Sequence, residues 1–445
     1  MRIATAVVLV LAGWAPGAVA QVDPELAKVI QDTKAIDNHA HPLKYVAEGQ
    51  KPDEDYDALP CDTLEQAPGP ARTRPGNPEW MGAWRTLYGY KYSDMTPDHV
   101  KELVAAKQAA VHEHGAGYPA WVLDKIGIDI MFANRVAMGA GIEPPHFRWV
   151  PFDDALMLPL SNDRAKRLNT DFDWFYSHEE KLLKRYLADV HLDALPRSLR
   201  TYLTKVVTPT IERQKQDGAV AIKFEAAYLR SLNFSRATEE DAENIYDRNV
   251  RGGDVASAEY RRLQDFLFHY LAQEAGRLGL AVHIHSAPGC GDYFLQRGAN
   301  PALLETAFND PSLRKTNFVI VHGGAPYTKV TAALFQKPNV YADFSFTVLA
   351  LYPRAFAEVL RDWLEAYPEK VLFGTDASPG APEVNWEEGA WMAAASARQA
   401  LGIALTGMMN DGEVSRERAM EIARMVLREN AMKLYGLDAN KSMIK

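Results

Sequence analysis

The chain has 445 residues, of which 47% are hydrophobic and 24% are charged, and its formal net charge is −9. This is the composition of a globular protein with a large core, so extensive disorder is excluded. The acidic balance does not suit nucleic acid or an anionic membrane surface as a partner. Beyond the N-terminal segment, no stretch has the roughly 18 uninterrupted apolar residues of a membrane helix.

The N-terminus has the pattern of a secretory signal peptide. A basic start at Arg2 precedes an apolar stretch, and Ala18-Val19-Ala20 forms a cleavage signal of the A-x-A type. A membrane anchor is disfavoured because glycine and proline residues interrupt the apolar stretch. We therefore expect residues 1–20 to be removed and residues 21–445 to form one exported domain, periplasmic or secreted, without membrane contact.

The peptide Asn38-His39-Ala40-His41-Pro42 ends the first predicted strand, residues 35–41. Residues two apart on a strand point to the same face, so the imidazoles of His39 and His41 project together, with their Cα atoms ~6.7 Å apart. Two imidazoles on one rigid strand can begin a transition-metal site. Because His-x-His also arises by chance, this prediction depends on ligands from later strands.

Residues 42–118 form a long excursion after the first strand, rich in Pro, Tyr and Trp. Loops that follow strands often carry function, so we expect a cap that shapes the site; alternatively, its aromatic side chains pack only on the outer wall of the fold. Cys61 lies in this excursion and Cys290 in a later loop. In an oxidising compartment the pair either forms a disulfide that pins the cap or remains as two buried thiols.

From residue 128 onward, short β-branched runs alternate with helical stretches, such as residues 256–278 and 301–308. Such alternation is typical of βαβ units and a parallel sheet. Eight units favour an α/β fold of the TIM (β/α)8 barrel class, with a helical and loop insertion after strand one, over a doubly wound sheet. Predicted strands two to eight are residues 128–134, 147–152, 218–225, 280–285, 318–322, 340–343 and 371–375.

Ligand-capable side chains fall at the C-terminal ends of these strands, which is where barrel enzymes place their chemistry. Five of the 12 histidines lie in three predicted strands. Imidazoles with a carboxylate suit zinc, manganese or iron and leave coordination positions for water. The candidates are His39 and His41 on strand one, Lys223 and Glu225 on strand four, His283 and His285 on strand five, His322 on strand six and Asp376 after strand eight.

These residue types predict a metal-assisted hydrolysis of a C–N or C–O bond. A divalent metal lowers the pKa of a bound water toward ~7, and Asp376 can accept the proton of that water as a general base. His322 either binds a second metal or hydrogen-bonds the substrate carbonyl and stabilises its developing charge.

Four motifs in this order resemble the amidohydrolase superfamily, in particular its amidohydrolase-related (amidohydrolase 2) branch. The motifs are Ile36-Asp-Asn-His-Ala-His-Pro42, Val282-His-Ile-His-Ser286, Val321-His-Gly-Gly324 and Phe373-Gly-Thr-Asp-Ala-Ser378, and the ending Arg428-Glu-Asn-Ala-Met-Lys-Leu-Tyr-Gly436 is similar to that of the branch. A closer likeness is to the amidohydrolase-like domain of nodulin/FluG-type proteins. It rests on Asp37-Asn-His-Ala-His-Pro42, Lys223 followed by Ala227-Tyr-Leu-Arg230, His285 followed by Gly291-Asp292, and Asn339-Val-Tyr-Ala-Asp-Phe344.

The resemblance covers about residues 30–437 and implies a TIM barrel that holds a divalent metal. Zinc is the first candidate, with manganese or iron as alternatives. The implied ligands are His39, His41, His285 and Asp376, with His322 close by. His283 is expected instead to be a buried histidine that is satisfied by hydrogen bonds.

Lys223 has three interpretations. In the first, the lysine takes part in the site. In the second, it is carbamylated and bridges two metals, as in some superfamily members. In the third, it forms an ion pair with Glu225 on the same face of the strand. After this strand, Tyr228 and Arg230 are candidates for binding a substrate carboxylate, since Arg suits bidentate contact. A solvated loop is the alternative for both.

Three functions remain open for the site. The first is a hydrolase acting on an amide, lactone or ester of a small molecule. The second is a decarboxylase with the same ligands, and the third is a noncatalytic binding protein on a decayed barrel, which the intact ligand set disfavours. The expected partner is a small-molecule substrate, and a homo-oligomer is left open.

Overall fold

The computed structural model describes residues 22–64, 69–286, 288–291 and 294–437, so the predicted signal peptide lies outside the described residues. Neighbouring strands pair in parallel and in chain order, in one sheet of three strands and one of five. The strands are β1 (Ala35–Ala40), β2 (Ile128–Asn134), β3 (Phe147–Val150), β4 (Ala221–Phe224), β5 (Ala281–His285), β6 (Phe318–Val321), β7 (Val340–Asp343) and β8 (Val371–Leu372).

Short pairings join the two sheets at both of their edges. Phe152, just beyond β3, pairs in parallel with Lys223 of β4, and Ala377, beyond β8, pairs in parallel with Ala40 of β1. The His41 N–H donates to the Ala377 carbonyl at 2.7 Å. Each strand therefore has a neighbour on both sides, and the (β/α)8 barrel expected from the sequence is confirmed.

Helices surround the barrel, and in the described residues none is long and apolar enough to cross a membrane. The predicted helix at residues 256–278 is α11, whose apolar face buries Leu263, Leu267 and Leu271 against the strands. The helices are α1 (Pro24–Asp32), α2 (Trp80–Tyr88), α3 (Pro97–His114), α4 (Tyr118–Ile126), α5 (Asp154–Met157), α6 (Asp163–Lys166), α7 (Thr170–Asp189), α8 (Leu199–Tyr202), α9 (Thr208–Gln216), α10 (Glu239–Asn249), α11 (Ser257–Arg277), α12 (Glu305–Phe308), α13 (Thr328–Leu334), α14 (Thr347–Ala350), α15 (Pro353–Leu364), α16 (Trp386–Asn410), α17 (Arg416–Arg424) and α18 (Asn430–Tyr435).

Several strands end earlier than their hydrophobic patterns predict. β6 ends at Val321 and β8 ends at Leu372. His322 and Asp376, which follow them, have positive φ angles of 66° and 58°, a backbone conformation that cannot continue a strand. The residues that leave the sheet are thus the ones whose side chains were predicted to form the site.

The excursion between β1 and β2 separates into a helical part and a loop part. α2, α3 and α4 pack against α16: the Lys107 Nζ lies 2.9 Å from Glu388, and the Tyr118 hydroxyl donates to Glu387 at 2.9 Å. Tyr118 therefore packs on the outer helix α16, whereas the Trp84 Nε1–H donates to the Glu383 carbonyl, in the loop after β8, at 2.8 Å. The loop before α2 instead brings Asp57 and Cys61 to the mouth of the barrel, at the C-terminal ends of the strands.

Cys61 and Cys290 form a disulfide with a Cα–Cα distance of 5.8 Å. The bridge joins the loop after β1 to the loop after β5, two segments that are 229 residues apart in sequence. The hypothesis of a bridge between these loops is therefore confirmed, and the alternative of two buried thiols is not.

Removing this bridge should destabilise the protein. A disulfide that closes a loop of this length limits the unfolded chain, and its loss typically costs about 2–5 kcal/mol. We expect this loss in the free energy of unfolding for the double variant Cys61→Ser/Cys290→Ser, measured by denaturant unfolding without reductant, and the same value for reduced wild type. Alkylation of both cysteines in the native, unreduced protein would contradict the bridge.

Candidate metal centre

Three side chains from the first and last strands of the barrel converge at its mouth. The Nε2 atoms of His39 and His41 lie 3.4 Å apart. Oδ1 of Asp376 lies 3.1 Å from the former and 3.7 Å from the latter. In a tetrahedral site with metal–ligand bonds of ~2.1 Å, ligand atoms lie about 3.4 Å apart. The spacing therefore fits a transition-metal ion held by these three residues.

The local backbone explains this convergence. His39 and His41 are two residues apart where β1 ends, so they share a face of the strand. Asp376 is turned toward them by its left-handed backbone, and its N–H donates to the His39 carbonyl at 2.7 Å. The preceding Thr375 is fixed in turn, because its hydroxyl donates to Asp37 at 2.6 Å. Such strain persists only where the surroundings determine it.

Burial sets the charges at this centre. It lowers the pKa of His39 well below its usual value, with the nearby Lys223 charge acting in the same direction. The imidazole is therefore neutral, which is the form that binds a metal. Burial also raises the pKa of Asp376 to about 7, against the opposing effects of His41 and Lys223. The donor set thus consists of two imidazoles and one carboxyl group. A cation bound among them would stabilise the ionised form of that carboxyl group.

Asp57 is a neighbour of this centre that the sequence did not reveal. One of its carboxylate oxygens lies 3.1 Å from Nδ1 of His41, on the far side of the ring from Nε2. A carboxylate in this position orients a ligating imidazole and makes it more basic. No motif marks Asp57, because it lies in an irregular loop 16 residues beyond His41.

Replacing Asp57 should therefore weaken metal binding without abolishing it. Loss of such a partner typically costs 10–100-fold in metal affinity, and we expect about this loss for Asp57→Asn, measured by competition with a chelator. Asp62→Asn, which alters a carboxylate of the same loop that bonds Tyr56, is the matched control. Equal affinity in Asp57→Asn and wild type would remove Asp57 from the site.

A chain of hydrogen bonds links His285 and His322 to the next strand. His322 Nε2 lies 3.1 Å from His285 Nδ1, and its Nδ1 lies 2.8 Å from the Ser345 hydroxyl. Ser345 in turn donates to Asp343. His322 is also 4.0 Å from Asp376, so this chain runs beside the metal centre.

The chain fixes the tautomers of both histidines. Burial raises the pKa of Asp343 only to about 6, so near neutral pH its carboxylate accepts the Ser345 proton. Ser345 then accepts from Nδ1–H of His322, whose neutral Nε2 accepts from Nδ1–H of His285. Nε2 of His285 is left with a lone pair, as a metal ligand requires. Its role as a fourth ligand stays a prediction, because the close group is formed by His39, His41 and Asp376.

Lys223 and Tyr228 lie near this centre on the β4 side. The Lys223 side chain is fully buried, and its Nζ lies 3.6 Å from Glu225. The Tyr228 ring packs against His285 with ring centroids 4.5 Å apart. Its side chain hydrogen-bonds the backbone of Cys290, so the disulfide fixes its position at the rim. Both residues therefore lie beside the centre, and their contact with a substrate stays a prediction.

Arg230 is not brought into the site, nor is it solvated, so both sequence-based interpretations are wrong for this residue. Its guanidinium is buried, bonds Asp265 and Gln264 on α11, and packs over Phe234 at 4.5 Å. A 3₁₀ turn at Ala226–Tyr228 lies between the strand and Arg230, and spacing along the sequence cannot predict such a turn. By contrast, His283 is buried and bonded to Tyr435 at 2.7 Å, as expected.

Comparison with known proteins identifies the family to which this barrel belongs. The sequence pattern of the amidohydrolase family matches residues 211–437, just over half of the chain. The chain belongs to the amidohydrolase family. The matched segment contains Lys223, His285, His322 and Asp376, while His39 and His41 precede it.

A curated relative and two solved structures resemble this family member. FluG of Emericella nidulans is 25% identical over 231 residues, which are 49% of this chain but only 26% of FluG. Glucuronate isomerase of Caulobacter crescentus superposes with a TM-score of 0.60 at 14% identity, over 93% of each chain. A protein of Lactobacillus casei ATCC 334 assigned as a metal-dependent hydrolase superposes at 0.58 and 14% identity, over 93% of this chain and 98% of that one. At these identities the structures show the fold alone.

Family membership confirms the resemblance seen in the sequence. Together with the convergent donors at the mouth, it identifies a metal-dependent enzyme of the amidohydrolase fold. The chemistry of the site is the basis for proposing the reaction and the identity of the metal.

Proposed function

We propose that this chain is a metal-dependent hydrolase that cleaves the amide-type C–N bond, or the lactone or ester C–O bond, of a small molecule. The observation that carries the proposal is the convergence of His39, His41 and Asp376 at the mouth of the barrel. Zinc is the proposed metal, because two imidazoles and a carboxylate at these spacings are a common catalytic zinc set. A metal bound there would supply hydroxide from water at neutral pH.

Asp376 is the proposed general base. Its Oδ1 faces the two imidazoles, while its Oδ2 is directed toward the His322 side of the site. A carboxylate with one oxygen on each side can hold the attacking water and take its proton.

His322 is the proposed partner of the substrate carbonyl or leaving group. Its Nδ1–H is anchored through Ser345 to the Asp343 carboxylate. A proton delivered to Nε2 would replace the hydrogen bond that Nε2 accepts from His285, and it would form an imidazolium that Asp343 stabilises through one hydroxyl. This arrangement lets His322 hold a proton for the leaving group.

Lys223 and Tyr228 are the proposed substrate-binding residues, since each presents a polar group beside the metal centre. The Cys61–Cys290 disulfide supports the further proposal that the protein works after export, in an oxidising compartment.

The decisive experiment is a product analysis of the metal-loaded protein in isotopically labelled water. A panel of N-acyl amino acids, dipeptides, lactones and aromatic acids is incubated with the enzyme, and products are identified by mass spectrometry. Hydrolysis predicts one labelled oxygen in the acid product. Release of CO2 with an organic product that carries no label would identify a decarboxylase. With glucuronate added to the panel, an isomerised uronate would identify an isomerase like that of Caulobacter crescentus; either result would replace the proposal.

A further inference from the structure

A second group of charged side chains lies beside the metal centre, on the β4 side of the barrel. Three buried carboxyl groups form what we call the acidic cluster: Asp154 on α5, Glu179 on α7 and Glu225 just after β4. The Asp154 carboxylate accepts a hydrogen bond from the Glu225 N–H at 2.6 Å, and this bond joins α5 to the end of β4. Burial is the main cause that raises the pKa of both glutamates well above its usual value, and Asp57, the neighbour of His41, acts in the same direction.

The acidic cluster lacks hydrogen-bond donors. Glu179 is only 1% exposed, and within the described part of the chain neither of its carboxylate oxygens has a partner. The same holds there for Oε2 of Glu225, which is 4% exposed. A buried carboxyl group without partners costs several kcal/mol, so an arrangement of this kind is unusual unless something else fills it.

Lys223 gives an independent sign that a ligand belongs here. Its side chain is fully buried and its Nζ has no hydrogen-bond partner among the described residues, yet it is directed toward Glu225 at 3.6 Å. The same ammonium group acts on His39 of the metal centre. Lys223 therefore lies near the metal centre and forms an ion pair with Glu225 of the acidic cluster.

A second metal ion does not fit the acidic cluster. Across residues 22–437, with the undescribed gaps set aside, its three residues do not offer oxygens that all lie within 4.8 Å of one another, as the metal-centre donors do. A larger cation with several N–H donors can reach oxygens that are farther apart. An ammonium has three such donors and a guanidinium has five.

We propose that the substrate carries a cationic nitrogen group, an ammonium or a guanidinium, that Glu179 and Glu225 receive while the scissile bond lies at the metal centre. This inference names the substrate class of the proposed hydrolase and rests on the proposed function for its kinetic test only. Charge-assisted hydrogen bonds to a desolvated carboxylate are the strong ones, so this contact selects among substrates with the same scissile bond.

Binding is tested first and does not depend on turnover. The Tm of the metal-loaded protein is measured with glycinamide, β-alaninamide and guanidinoacetamide, and with N-acetylglycinamide and N-acetyl-β-alaninamide as neutral counterparts. We expect the cationic probes to raise the Tm and the acetylated ones to leave it unchanged. Glu179→Gln, which keeps the shape but cannot ionise when a cation binds, should lose this difference. Glu180→Gln, which alters the next residue on α7 where it pairs with Lys166, should keep it.

Kinetics then test the same contact during reaction. We expect p-nitroanilides of glycine, β-alanine or γ-aminobutyric acid to be cleaved with kcat/KM at least about tenfold above that of their N-acetyl forms, and this ratio to fall toward one in Glu179→Gln. Equal Tm shifts for cationic and neutral probes in wild type, or a preserved difference in Glu179→Gln, would overturn the inference. Cationic binding without cleavage of any anilide would support the inference while counting against amide hydrolysis.

Discussion

Asp376→Asn should reduce kcat by about 10³-fold or more while the fold persists. The amide cannot take a proton from water, and positioned general bases contribute roughly 10²–10⁴-fold. The measurement is the steady-state rate on whichever substrate the product analysis identifies, with circular dichroism as the check on folding.

Asp124→Asn is the matched control for this prediction. It makes the same chemical change at an exposed residue on α4 that pairs only with Lys34 at the surface. We expect its rate to equal that of wild type. If Asp376→Asn kept more than about a tenth of the activity, a general base other than Asp376 would be required.

His39→Ala and His41→Ala should lose the metal. Partners that only orient ligands are worth 10–100-fold in affinity, so removing a ligand should cost more than about 100-fold. After reconstitution with zinc and exhaustive dialysis, wild type should retain metal by elemental analysis, and both variants should retain almost none.

Two further histidines sharpen this test. His285→Ala should lower metal affinity if its Nε2 completes the ligand set, whereas His283→Gln should retain the metal, because His283 bonds Tyr435 instead. Equally little metal in wild type and in all variants would contradict the proposed centre.

The features that could be predicted from the sequence are those that depend on a regular repeat along the chain. The placing of the strands, and of His39 and His41 at the end of the first of them, follows from β-branched runs and a repeat of two. Asp376 and His322 were found because barrel sites lie after strands, and that rule does not need the shape of a loop.

The sequence did not reveal contacts that depend on irregular backbone. Asp57 reaches His41 through a loop without a repeating pattern, and Ser345 joins His322 to Asp343 across neighbouring strands. Arg230 shows the opposite error: a suitable residue type close to the site in sequence lies beyond a 3₁₀ turn and is held by Asp265. Loop direction depends on tertiary packing, which local sequence does not encode.

The pairing of Ala40 with Ala377 has a consequence for how this protein is assembled. His39 and His41 come from the first strand of the chain, and Asp376 follows the last, so the donors meet only across the join between them. A partly synthesised barrel can present the two imidazoles but not the carboxylate. With the proposed ligand set, we therefore expect metal uptake only after the last strand has been made, and a bound ion would tie together the two strands that are farthest apart in the order of synthesis.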